Sequence, residues 1–149
     1  QLGVAGAVGL ALAKKLKKEE GKVYCLMSDG EMAGGMIWES ALISSHHKLD
    51  NLVIIVDYNG FQAMGETNEI LNLEPLKRKW DNFNWDVYTI DGHNFEDIES
   101  VFNLTKYNPT IIISKTIKGK GVSFMENNNL FHYKAPTQSE FELALKELK

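Results

Sequence analysis

Short runs of Val and Ile alternate along this chain with longer stretches of helical period. Val23–Met27, Leu52–Val56, Val87–Ile90 and Thr110–Ser114 are apolar runs of strand length. Their hydrophobicity is continuous rather than alternating, which predicts strands buried on both faces of a parallel sheet. Between them, Gly35–Lys48 offers Ile37, Ala41 and Ile43 or Ser44 as inward positions, Glu74–Phe83 is a second helical stretch, and Phe95–Tyr107 places Ile98, Val101 and Phe102 on one side. Gln138–Leu148 is amphipathic, with Phe141, Leu145 and Leu148 spaced for one face. Repetition of strand, helix and strand predicts an α/β layered domain with a mostly parallel sheet flanked by helices. Residues 118–135, rich in Gly, Lys and Asn, form a long loop of the kind that carries function or moves.

The amino-terminal run Leu2–Ala13 has the apolarity of a signal-peptide core, but Lys14, Lys15, Lys17 and Lys18 follow it instead of preceding it. It is also shorter than the roughly 20 residues that span a bilayer. It reads as a buried helix with Gly3, Gly6 and Gly9 on a slim face and lysines at the carboxyl end. Because the chain begins with Gln1 inside an element, the 149 residues are expected to be a single domain belonging to a longer polypeptide or a split enzyme.

Composition narrows the classes. A single cysteine, Cys25, forms no internal bridge and no zinc cluster, and fits a reducing, cytoplasmic setting. A net charge of −4 without a basic, aromatic-interleaved patch argues against nucleic acid.

The chemistry starts where the first two strands end. Val23–Ser28 runs into Asp29-Gly30-Glu31, and Leu52–Asp57 runs into Tyr58-Asn59-Gly60, so Asp29 and Asn59 stand 30 residues apart, about one βαβ unit. Both then emerge at carboxyl ends of parallel strands, the edge where open α/β sheets bind ligands. A carboxylate and an amide carbonyl are hard oxygen donors suited to Mg²⁺ or another divalent cation such as Ca²⁺. Gly30 allows close backbone approach, and the next helix aims its N-terminal N–H groups at the same place, a geometry suited to a diphosphate. Taken singly, Asp-Gly after a strand is also an ordinary turn.

The motifs also carry a resemblance. Ser28-Asp29-Gly30-Glu31, Trp38-Glu39-Ser40-Ala41, His47-Lys48-Leu49-Asp50-Asn51-Leu52 and Asp57-Tyr58-Asn59 resemble the thiamine diphosphate motif of transketolase. Leu73-Glu74-Pro75-Leu76, Ile90-Asp91-Gly92-His93-Asn94, residues 115–126 and Phe131-His132 to Ala135-Pro136 extend the similarity over the amino-terminal half of that family. The resemblance implies a thiamine diphosphate-binding fold in which Asp29, the Asn59 side-chain oxygen and the Phe61 carbonyl hold Mg²⁺. Gly30, Glu31 and His132 then join the cofactor-binding set, and His132, near cofactor and sugar, and Glu39 are the implied catalytic residues. It further implies that Glu39 sits near a subunit interface, against the alternative of a plain solvated helix carboxylate. His93 reads as mainly structural, and adjacent His46 and His47 as a poor metal pair.

Departures from the family pattern are Ser28 and Tyr133 where glycine is usual, and Gly34 where an acidic residue is common. The implied reaction moves a two-carbon glycolaldehyde unit from a ketose or its phosphate to an aldose or its phosphate. The implied partners are a pyrimidine-binding domain or carboxyl-terminal half, in a homo- or hetero-oligomer, with no nucleic acid and no membrane. The alternatives are a 1-deoxyxylulose-5-phosphate synthase-like enzyme and a catalytically inert, cofactor-binding or structural subunit.

Overall fold

Four parallel strands, β1 (Val23–Ser28), β2 (Leu52–Tyr58), β5 (Asp86–Asp91) and β6 (Thr110–Lys115), form one sheet in the order β1-β2-β6-β5. The computed structural model describes residues 2–104 and 107–149. All four expected strands are present, each one or two residues longer than its apolar run. The order puts β2 and β6 at the centre, where Leu52, Val53, Ile54, Val56, Ile111, Ile112 and Ile113 are buried.

Two unequal cores result. On one face, Met27, Leu52, Ile54, Val56, Ile111 and Ile113 cluster with α1 (Leu2–Lys17), α2 (Gly35–His46) and α4 (Leu76–Asn82). On the other, Val53 and Ile112 meet Val101 of α5 (Phe95–Asn103). Burial on both faces therefore holds for the central strands but not for the edge strands: Tyr24 and Leu26 of β1 are exposed, and no residue of β5 is fully buried. Tyr24 makes a ring contact with Phe102 of α5 at 5.9 Å, and Phe102 itself is exposed.

Helix α1 buries Val4, Ala7, Val8 and Ala11, the i, i+3, i+4, i+7 stripe of a one-sided helix. This corrects the expectation of a buried helix packed closely on a glycine face. Leu2 and Leu10 are exposed, and Gly6 and Gly9 face open space. In α2, Ile37, Ser40, Ala41 and Ser44 point inward and Ile43 outward, so the polar member of the alternative pair takes the core position. The α2 backbone is pinned to the residue that precedes β5 by the Trp85 indole N–H, which donates to the Ala41 carbonyl at 3.0 Å. Trp80, fully buried, touches the rings of both Trp38 and Trp85.

Helix α5 starts at an Asn94 cap, whose side chain accepts from the Glu96 and Asp97 N–H groups. It ends at Asn103, short of the expected Tyr107, while Thr105 and Lys106 lie outside the described residues. Helix α6 (Gln138–Glu147) opens on a Thr137–Glu140 capping box, and Phe141, Leu145 and Leu148 stay exposed. Among the described residues no helix is long and apolar enough to cross a membrane.

Three small elements have no apolar pattern to announce them. A 3₁₀ turn, Asp29–Ala33, lies between β1 and α2, so the helix N-terminus expected at the motif is displaced by one short turn. A hairpin of β3 (Phe61–Gln62) and β4 (Gly65–Glu66) leads into the short helix α3 (Thr67–Ile70). A second 3₁₀ turn, Asn129–His132, sits within the long loop.

Candidate functional site

The sheet register places Ser28, Asp57 and Ser114 side by side at the carboxyl ends of β1, β2 and β6. Asp29 follows Ser28 directly and has no exposed surface. Its Oδ1 accepts the Gly30 N–H at 2.8 Å, and its Oδ2 accepts both the Gly60 N–H and the Thr67 hydroxyl at 3.0 Å. Burial pushes the Asp29 carboxyl above its ordinary range, against the opposing pull of these donors. Among the described residues Oδ2 thus accepts two hydrogen bonds and Oδ1 one.

Asn59 is oriented at both ends of its amide. Its Oδ1 accepts the Phe61 N–H at 2.9 Å and its Nδ2 donates to Asp57 Oδ2 at 3.4 Å. The other Asp57 oxygen accepts the Thr116 hydroxyl. The Gly60 N–H, one residue beyond Asn59, reaches the Asp29 carboxylate and so joins the two turns at the strand ends.

A cleft of about 540 Å³ opens over these strand ends, lined by Gly30, Glu31, Asp57, Asn59, Phe61, Gln62, Lys118 and His132 among others. Gly30, Glu31, Asn59, Phe61 and His132, drawn from well-separated parts of the sequence, thus share one cavity. Asp29 lies behind this wall instead of on it. Glu31 also closes the turn, its Oε2 accepting the Ser28 N–H at 2.9 Å. A Cβ on Gly30 would come within 3.1 Å of Gln62 Cγ, so the glycine lets the Gln62 side chain close over the backbone. The Gln62 Nε2 is buried without a hydrogen-bond partner among the described residues.

An adjoining cavity of about 480 Å³ shares Asp57, Asn59 and Lys118 with the first and adds Leu26, Ile55, His93 and Thr116. His93 is held by the Ile117 N–H, which donates to its Nε2 at 2.8 Å, in keeping with a structural part. Glu39 lies on α2 and lines neither cavity. His46 and His47 lie at the far end of α2, outside both.

Lys118, Asp57, Gln62 and Thr67 are site residues that the motifs alone do not single out. Asp57 is visible as the first letter of Asp-Tyr-Asn, and Lys118 as part of the Lys-Gly-Lys-Gly stretch. Thr67 carries no sequence signal, because its role depends on the turn that brings it back to Asp29.

The donor types suit a hard cation. Among the described residues no group of three or more His, Cys, Asp or Glu converges on a metal position. A cation here would rely on one Asp29 oxygen, the Asn59 amide oxygen and a backbone carbonyl, with oxygens of a phosphate ligand and water. Lys118 supplies a positive charge to the same cleft.

Comparison with known proteins decides the family. The family model of the transketolase thiamine diphosphate-binding domain matches residues 2–148. The chain belongs to the transketolase family. It is 42% identical to an apulose-4-phosphate transketolase subunit from Phocaeicola vulgatus, over 98% of this chain and 53% of that protein. It is 40% identical to a 6-deoxy-6-sulfo-D-fructose transketolase subunit from a Clostridium species, over 99% and 54%. Human transketolase is 33% identical over 98% of this chain and 24% of its own length. Among solved structures, Campylobacter jejuni transketolase superposes with a TM-score of 0.89 at 30% identity, covering 98% of this chain and 24% of that one. The chain therefore spans about half the length of the transketolase subunits it matches and about a quarter of the long transketolases.

Proposed function

We propose that this chain forms the diphosphate-binding part of a transketolase-like transferase, which moves a two-carbon glycolaldehyde unit from a ketose or ketose phosphate to an aldose or aldose phosphate. One observation carries the reading: in a chain of this family, Asp29 and the Asn59-Gly60 turn meet through the Gly60 N–H at the head of one cleft. Asp29, Asn59 and the Phe61 carbonyl would hold Mg²⁺, or another divalent cation such as Ca²⁺, and Gly30, Glu31 and Lys118 would surround the diphosphate of thiamine diphosphate. When bound, the cofactor supplies the carbon nucleophile that carries the two-carbon unit.

The protein's own tasks are binding and orientation. Lys118 neutralises phosphate charge, and the Asp57–Asn59 contact turns the amide oxygen away from Asp57. His132, which lines the cleft, would donate to a sugar oxygen as negative charge develops there. A pyrimidine-binding domain or carboxyl-terminal half, from the same or a partner chain in a homo- or hetero-oligomer, completes the site. The relatives named for apulose 4-phosphate and 6-deoxy-6-sulfofructose support a ketose with an anionic far end as donor.

The test is transfer by the assembled full-length protein with a ketose phosphate as donor, beside pyruvate as donor. Glycolaldehyde transfer from the ketose phosphate supports the assignment. Reaction with pyruvate alone would contradict it in favour of a 1-deoxyxylulose-5-phosphate synthase-like activity, and absence of both would favour an inert subunit.

A further inference from the structure

The chain that leaves β6 is held from both sides. The Thr116 N–H donates to the Tyr58 carbonyl of β2 at 3.2 Å, and the Ile117 N–H donates to His93 Nε2 at 2.8 Å. β5 ends at Asp91, in register with Lys115, and the Gly92 N–H donates to the Lys115 carbonyl at 2.8 Å. In a continuing parallel ladder the next donor, the Ile117 N–H, would meet the Gly92 carbonyl. The chain turns instead, with the His93 N–H on Asp91 Oδ1 at 2.9 Å, and the imidazole supplies the acceptor in place of that carbonyl. The residue after Ile117, Lys118, lines the cleft at the strand ends, and its side chain makes no ion pair or hydrogen bond among the described residues. Its backbone therefore sets where the ammonium reaches. That backbone is clamped on the far side too, since the Asn127 N–H donates to the Lys118 carbonyl at 2.9 Å and closes residues 118–127 into a loop.

We infer that His93 is a positioning residue, whose Nε2 fixes the backbone at Ile117 and through it holds the Lys118 ammonium toward the diphosphate. This rests on the cofactor reading above. Lysine carries its charge on a flexible stem, so its contact with a phosphate is only as well placed as the backbone that bears it. A backbone still to be ordered when the ligand arrives subtracts that ordering from the affinity. His93 lines the adjoining cavity but not the cleft of Gly30 and His132, so its effect on that cleft passes through Ile117 and Lys118. The turn after edge strand β5 thereby takes part in a site built at the ends of β1 and β2.

The experiment is calorimetric titration of the assembled full-length protein with thiamine diphosphate at saturating Mg²⁺. Parent, His93→Leu and His93→Gln are compared, each also in a Lys118→Met background, with thermal unfolding of every variant as a control for folding. Gln places a carbonyl oxygen as many bonds from the backbone as His Nε2, whereas Leu offers no acceptor. His93→Leu should weaken binding about two- to tenfold, the worth of one uncharged hydrogen bond, and His93→Gln should restore most of that loss. In the Lys118→Met background both substitutions should leave the affinity unchanged, because the group they position is gone. No loss in His93→Leu, a loss that persists undiminished without Lys118, or no rescue by His93→Gln would overturn the inference while leaving the cofactor reading intact. No cofactor binding by the parent, or unaltered affinity in Lys118→Met alone, would overturn the inference together with the placing of the diphosphate on which it rests. If His93→Leu does not fold, His93→Ala carries the same expectation.

Discussion

The Gly60 N–H donates to Asp29 Oδ2 at 3.0 Å, joining the ends of two adjacent parallel strands across 31 residues of sequence. The turn that makes this contact needs a left-handed residue: Gly60 has a φ of 78°. Nothing lies within 4 Å of a Cβ built there, so a substitution meets backbone strain without a clash. Gly60→Ala is expected to cost about 1–2 kcal/mol. Urea unfolding should show a lower midpoint with unchanged slope; an unchanged midpoint would mean that the turn is not strained.

Gly92 is confined for the opposite reason. A Cβ there would sit 2.2 Å from Ser114 Oγ and 2.6 Å from Thr116 Cγ2. Gly92→Ala must push aside the Ser114 and Thr116 side chains, and with the latter the hydroxyl bound to Asp57. The expected cost is about 1–3 kcal/mol, the usual range for overpacking. Thermal unfolding reads it, and a stability equal to that of the parent would contradict the close packing of β5 on β6.

The Tyr58 hydroxyl donates to Glu74 Oε1 at 2.7 Å, while the other Glu74 oxygen accepts the Leu76 N–H. Burial and the Glu74 partner push Tyr58 up to about 12 from an ordinary 10.0. A raised folded-state pKa gives stability that is complete below the unfolded value and lost as pH rises through the folded one. Stability should therefore fall between pH 10 and about 12, and Tyr58→Phe should remove part of that fall. Glu74 is held below its ordinary value by the same bond, so its contribution is present above the usual carboxylate range and lost only on acidification. Parallel alkaline slopes for parent and Tyr58→Phe would contradict this.

Lys118 lines both cavities at the strand ends and makes no ion pair or side-chain hydrogen bond among the described residues. Removing a cation that faces a diphosphate costs a charge-assisted contact worth about 1.5–3 kcal/mol. Lys118→Met should weaken thiamine diphosphate binding about tenfold or more, with unchanged thermal stability of the cofactor-free protein. Unaltered affinity would place the diphosphate elsewhere.

The strands and the meeting of the two turns at their ends were legible in the sequence because each apolar run ends on a polar residue of distinct chemistry. Central strands that are buried on both faces advertise themselves by continuous hydrophobicity. Edge strand β1 looks the same in sequence, yet Tyr24 and Leu26 are exposed, since local composition does not report strand order. The choice of Ser44 over Ile43 as the inward residue was likewise undetermined by period alone. Thr67 and the hairpin before it were illegible, because a two-residue strand and a four-residue helix are too short to show a period. Residue types disclosed the chemistry at Asp29; only the fold disclosed which donors its oxygens accept.

The central claim, that the ends of β1 and β2 hold a divalent cation and the diphosphate of thiamine diphosphate, is tested most directly by calorimetric titration of the assembled full-length protein with the cofactor, with and without Mg²⁺, for parent and Asp29→Ala. Saturable, Mg²⁺-dependent binding by the parent, abolished in Asp29→Ala while the variant stays folded, is the predicted result. Binding that is indifferent to Mg²⁺, or equal in Asp29→Ala, would contradict it.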